Sequence, residues 1–107
     1  MISAAQARRL ALGLPGAVEQ DHHGFPSFRV NGRIFATLPD QNHLHVLVDA
    51  NQTFGAVQHT PDSCEELWWG KRLRGVRVNL GAAGRGTVAE LLSDAWGRKA
   101  PRHLLDG

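Results

Sequence analysis

Cys64 is the only cysteine in the chain. No intramolecular disulfide can form, nothing marks an oxidising compartment, and a reduced cytoplasm is the expected location. Long hydrophobic runs are missing too. No stretch approaches the ~20 apolar residues needed to span a bilayer, and arginines interrupt the N-terminal MISAAQARRLALGLPG where a secretory leader would carry its apolar centre. The sequence therefore reads as soluble and unprocessed, with no membrane partner. A dominant charge of one sign is also absent. Twelve Lys and Arg oppose ten Asp and Glu, a formal charge of +2, so the pI near 9.3 does not by itself argue for nucleic-acid binding. Internal repeats, low-complexity tracts and long linkers are lacking, and residues 1–107 read as a single domain. A chain of this length buries roughly two-thirds of its unfolded surface, enough for one core without staples, and a monomer is the expected state.

The apolar pattern places helices at the two ends and strands between them. Ser3 and Gln6 have capping-box spacing, Ala7, Leu10, Ala11 and Leu14 follow at helical spacing, and Gly13 and Pro15 stop the element, giving a helix over roughly residues 4–13. Ser27–Asn31 and Arg33–Leu38 are β-rich runs meeting at Asn31-Gly32, a dipeptide suited to the positive φ angles of a two-residue hairpin turn. A tight turn sets Val30 opposite Arg33 and Phe28 opposite Phe35, with Arg29, Ile34, Ala36 and Leu38 on the other face. Both faces are then partly apolar, and which one is buried stays open. A strand follows over 43–48, where Leu44, Val46 and Val48 alternate with His43, His45 and Leu47. Asp49 and Gln52 suggest a capped short helix through about Val57, His59–Asp62 a turn, and the next stretch a helical or irregular segment. Val76, Val78 and Leu80 alternate with Arg77 and Asn79 in a strand over 74–80. Thr87 with Glu90 has capping-box spacing ahead of a helix carrying Val88, Leu91, Leu92, Ala95 and Trp96 and ending near Gly97. Hairpins flanked by N- and C-terminal helices imply an α+β fold, a two-layer sandwich on an antiparallel sheet.

His23-Gly24-Phe25-Pro26-Ser27-Phe28-Arg29-Val30 followed by Gly32-Arg33-Ile34-Phe35-Ala36-Thr37-Leu38 resembles the signature of the MmcQ/YjbR family of small bacterial proteins. Leu14-Pro15-Gly16-Ala17-Val18-Glu19, Trp69-Gly70-Lys71-Arg72 and Ala95-Trp96 with Ala100-Pro101-Arg102 match further family segments in the right order, so the resemblance covers most of the chain. It implies a sandwich with an antiparallel sheet, similar in outline to the frataxin-like fold, and a DNA-binding role. Fold does not carry function, so that role has to be argued again from the residues.

Their best support is Lys71 to Arg77, KRLRGVR, in which four of seven residues are cationic and which Trp68-Trp69 precede. Guanidinium and ammonium groups neutralise phosphates, and an exposed indole stacks on a base. Arg29, Arg33, Lys71, Arg72, Arg74 and Arg77 are accordingly the candidate nucleic-acid contacts. The structural alternative has Trp68 and Trp69 plugging the edge of the core while the arginines solvate a strand and bridge to Glu65 and Glu66. Helix-turn-helix, zinc-finger and aromatic RNA-binding patterns are all missing, so contact with DNA is expected to be electrostatic and weakly sequence-selective.

Other chemistries have less behind them. His22, His23, His43, His45 and His59 are imidazole ligands in principle, yet their spacing selects no metal, and no metal or cofactor is expected. An iron-binding acidic first helix is disfavoured, since that helix carries Arg8 and Arg9 and no acid. Asp21, His23 and Ser27 supply the residue types of a hydrolytic triad within too short a span, and nothing like G-x-S-x-G surrounds the serine. Glu65 and Glu66 beside Cys64 disfavour its thiolate. GAAGRG, Gly81 to Gly86, lacks the ending of a phosphate loop. The expectation is a non-enzymatic protein. His23, Ser27, Arg29 and Trp69 define the alternative site, a cleft for a protein or small ligand; a structural use for Arg29 paired with Glu19 or Asp21 is equally open.

Overall fold

The N-terminal capping box forms as its spacing predicts: the Gln6 amide donates to Ser3 Oγ and the Ser3 amide donates to Gln6 Oε1, opening α1 (Ala4–Leu12). The computed structural model describes residues 1–105. After α1 come β1 (Val18–His22), β2 (Phe25–Val30), β3 (Arg33–Thr37) and β4 (His43–Val46). Helix α2 (Ala50–His59), strands β5 (Cys64–Trp69) and β6 (Arg72–Asn79), and helices α3 (Arg85–Lys99) and α4 (Arg102–Leu105) complete the described chain. The strands form one six-stranded sheet in the order β1-β2-β3-β4-β6-β5 with every pair antiparallel. The fold is α+β, with helices at both ends of the chain. Among the described residues, no helix is long and apolar enough to cross a membrane.

One face of the sheet makes the core. Phe28 and Val30 of β2, Phe35 and Ala36 of β3, Leu44 and Val46 of β4 and Val76 and Val78 of β6 pack with Ala7 and Ala11 of α1 and with Val88, Leu91, Leu92 and Ala95 of α3. Ala56 and Val57 of α2 close the same cluster. Small residues on α1 and α3 let these helices approach each other and the sheet. Trp96 Nε1 donates to the Pro15 carbonyl at 2.8 Å and ties α3 to the chain leaving α1.

The Asn31-Gly32 turn forms with both residues at positive φ, 54° and 75°. Its strands do not keep the uninterrupted register of a simple hairpin. Arg29 opposes Ile34, but a bulge then sets Phe28 opposite Ala36, so Phe35 is the extra residue and Ala36 joins the core face. His23-Gly24 makes a second two-residue turn of the same kind, with φ of 55° and 93°, joining β1 to β2.

Three element expectations change. β1, with sequence VEQDH, is an edge strand that is almost wholly solvated and so carries no apolar alternation to betray it. β5 replaces the helical or irregular segment; only Cys64 and Leu67 are buried, three residues apart, so it shows no strand alternation. The α3 cap is Gly84, without a side-chain hydrogen bond, so Thr87 lies inside the helix, which runs on past Gly97 to Lys99.

Candidate functional site

The sheet face opposite the helical core carries a polar row that crosses all six strands. Gln20, Ser27, Thr37, His45, Arg77 and Glu65 stand opposite one another in register. Ser27 Oγ donates to the Gln20 carbonyl at 2.9 Å and accepts from Arg29 Nε at 3.2 Å. Arg77 Nη1 donates to His45 Nε2 at 2.7 Å, and Arg77 Nε lies 3.3 Å from Glu65 Oε1. Because arginine has only donors, His45 Nε2 must be the acceptor and the ring proton belongs on Nδ1. Burial, and then the positive charge of Arg77, pushes the His45 pKa down to about 4.

Beside this row the face hollows into a cleft of about 660 Å³. Ile34, Thr37, His45 and Leu47 lie along it. His22 and Phe25, which pair across the β1–β2 turn, and Pro39 close one end. Arg33, Trp69, Arg74 and Lys99 close the other, where β3 and β6 begin and α3 finishes. The antiparallel order explains that grouping. The β2–β3 turn, the end of β4 and the β5–β6 turn all fall at the same end of the sheet.

A second bulge puts Arg74 there. Leu67 opposes Gly75 and Trp68 opposes Leu73, so Arg74 is left without a cross-strand partner. Its guanidinium sits 4.5 Å from the centre of the Trp69 ring, a cation–π contact. Gly75 has a φ of 153°, and a Cβ placed on it would fall 2.0 Å from the Val46 carbonyl oxygen. Only glycine lets β6 come this close to the end of β4.

The same end holds two cations that the sequence pattern did not single out. Arg98 Nη1 donates to the Leu47 carbonyl at 2.9 Å, and a smaller hollow of about 280 Å³ brings Arg72, Arg74, Arg98 and Lys99 together with Asp49. Burial lowers the Lys99 pKa, and the charges of Arg98, Arg33 and Arg74 lower it further. At the tip of the β5–β6 turn Lys71 is exposed, with Gly70 at a φ of 61°. The sequence pattern ends this helix near Gly97, whereas α3 continues through Arg98 and Lys99.

The structure thus brings together Arg33, Arg72 and Arg74 and sets Lys71 beside them, but it separates Arg29 and Arg77. Both are half-buried farther along the face, Arg29 on Ser27 and Arg77 between His45 and Glu65. Arg8, rather than Arg29, pairs with Glu19. Trp68 and Trp69 do not plug the core: they are 49% and 52% exposed, and Trp68 Nε1 donates to Glu66 at 2.9 Å. Of the alternative cleft set, Trp69 lines the cleft and Arg29 lies opposite its Ile34. Ser27 is fully buried in the polar row, and His23 is an exposed turn residue whose place in the cleft is taken by His22. His43 is held by Asp40 at 3.0 Å, and Cys64 is 3% exposed with the Thr60 hydroxyl donating to its Sγ at 3.2 Å.

A family model described as YjbR matches residues 12–98. The chain belongs to the YjbR family. No curated protein and no solved structure matches it significantly. The match to the YjbR family spans every strand of the sheet, the cleft and the Lys71–Arg77 segment, and it stops one residue short of Lys99.

Proposed function

We propose that this YjbR-family protein binds DNA without performing chemistry on it, through the cationic end of its sheet. The observation behind this reading is the convergence of Arg33, Arg72, Arg74, Arg98 and Lys99 from three elements on one end of the molecule, beside exposed Trp68 and Trp69. A net charge of +2 gives no long-range pull on a polyanion, so the gathering of cations has to supply it locally. Phosphate neutralisation gives the affinity and says nothing about base identity, which makes the contact weakly sequence-selective. The exposed Trp69 ring beside these cations offers a face on which an unpaired base can stack, so single-stranded DNA is held more tightly than duplex. Binding rather than catalysis is favoured by the nucleophile types present. The Ser27 hydroxyl is committed to Gln20 and Arg29, and Cys64 is buried beneath the Thr60 hydroxyl.

Lys71 and Arg72 are exposed and make no hydrogen bond or ion pair with another described side chain, so their removal tests the surface and leaves the fold intact. In a fluorescence-anisotropy titration with labelled mixed-sequence single strands at low salt, Lys71→Ala/Arg72→Ala should weaken binding by about tenfold or more. An unchanged affinity would move the contact away from this end of the sheet.

A further inference from the structure

The cleft joins that cationic end to an apolar body that nucleic-acid binding does not use. Its length is lined by Ile34, Leu47 and Pro39 and by the rings of Phe25 and Trp69, whereas its charged groups, Arg33, Arg74 and Lys99, are all cationic and all at one end. No carboxylate is among its lining residues. Arg74 adds a second observation: its Nε is the one buried side-chain nitrogen or oxygen without a hydrogen-bond partner among the described residues. Native proteins rarely leave such a donor unsatisfied, because the group has given up water and received nothing in return. Lys99 gives the same indication. Its ammonium is disfavoured by burial and by three neighbouring guanidinium groups, a situation that a bound anion relieves.

We infer that the cleft is a binding site for an amphipathic organic anion, with an aliphatic or aromatic body along Ile34, Leu47 and Phe25 and a carboxylate or phosphate head between Arg33, Arg74 and Lys99. At about 660 Å³ it falls within the ~300–1,000 Å³ typical of small-molecule pockets. Guanidinium groups take either head through paired N–H donors, so the cationic end does not choose between carboxylate and phosphate. A neutral molecule of the same shape leaves the cations Arg33, Arg74 and Lys99 uncompensated. Head charge and apolar body therefore both contribute, and neither suffices alone. Its head end shares Arg33, Arg74 and Lys99 with the proposed DNA surface, whereas Lys71 and Arg72 do not line the cleft.

The test is an amide and indole N–H chemical-shift titration of the full chain with four probes: octanoate, octyl phosphate, octanol and inorganic phosphate. Either amphipathic anion should give saturable shifts at Ile34, Thr37, Leu47 and the Trp69 indole. Octanol and inorganic phosphate should each bind at least about tenfold more weakly than the better of the two anions. Comparison of octanoate with octyl phosphate identifies the preferred head. Lys99→Gln should reduce the affinity for the anions severalfold and leave octanol unaffected, while Lys71→Ala/Arg72→Ala, which lowers DNA binding, should leave octanoate binding unchanged. Octanol binding as tightly as the better of the two anions, tighter binding of inorganic phosphate than of the amphiphiles, or shifts scattered away from the cleft would each overturn the assignment. The DNA titration is a separate measurement, so failure of one reading leaves the other standing.

Discussion

His45 shows how one neighbour fixes the state of a side chain. The permanent cation Arg77 donates to Nε2, so a proton can reach that nitrogen only if the Arg77 contact breaks, and burial opposes the charged ring as well. The folded pKa of about 4 lies below the ~6.5 of an unfolded histidine. Between those values the unfolded chain binds a proton that the folded chain refuses. Stability contributed by His45 is therefore complete above about pH 6.5 and is lost as pH falls towards 4. Because the ring is partly exposed, the loss is on the order of 1 kcal/mol, well short of full conversion of the shift. Urea unfolding of the wild type and of His45→Gln at pH 7 and pH 4.5 should show a larger fall in the wild type by that amount. Equal falls would mean that His45 titrates normally in the folded protein. At this scale the sequence reveals residue types but not their partners. Arg29, Arg33, Arg74 and Arg77 look alike in the chain, yet Arg77 is held by His45 and Glu65, Arg29 by Ser27, and Arg74 lies against Trp69. The β4–β6 register joins His45 to Arg77 across thirty-two positions, and the β5–β6 bulge leaves Arg74 against Trp69.

Capping chemistry distinguishes elements that follow their local signals from one that does not. Ser3 and Asp49 each complete a capping box, whereas Thr87 lies in the first turn of α3 behind the Gly84 cap. Ser3→Ala should cost about 1 kcal/mol in chemical denaturation and Thr87→Ala no more than about 0.5 kcal/mol. A comparable loss at Thr87 would place the start of α3 three residues later. Gly75 is the position where element geometry is least forgiving. Its positive φ and the 2.0 Å approach of a would-be Cβ to the Val46 carbonyl mean that Gly75→Ala must push β6 away from β4. The expected destabilisation is about 3 kcal/mol, with loss of the Trp69–Arg74 arrangement reported by the indole N–H resonance. A variant of wild-type stability would show that the β6 bulge is not held by this contact. Elements whose apolar period survives, such as β2, β3, β4, β6 and both long terminal helices, are legible in the sequence. β1 is not, because an edge strand has little to bury, and β5 is not, because its buried residues Cys64 and Leu67 fall three positions apart instead of alternating.

For the molecule as a whole, the important property is the distribution of charge rather than its sum. Antiparallel order puts two chain turns and the end of β4 at one end of the sheet, and the last turn of α3 adds Arg98 and Lys99 to them, so a nearly balanced chain acquires a strongly basic end. The sequence points to Arg33, Lys71, Arg72 and Arg74 but not to Arg98 and Lys99. Their meeting needs the tertiary fold, since Arg33 and Lys99 are sixty-six positions apart and come together only where α3 ends against the sheet. The most direct test of this account is the salt dependence of binding to a labelled single-stranded oligonucleotide. If about four to six cations contact phosphates, the logarithm of the association constant should fall with the logarithm of salt concentration with a slope of roughly −3 to −4. The Lys71→Ala/Arg72→Ala variant should have a slope shallower by about 1 to 2. Failure to bind even at low salt, or affinity that does not change with salt, would contradict the assignment of this surface to DNA.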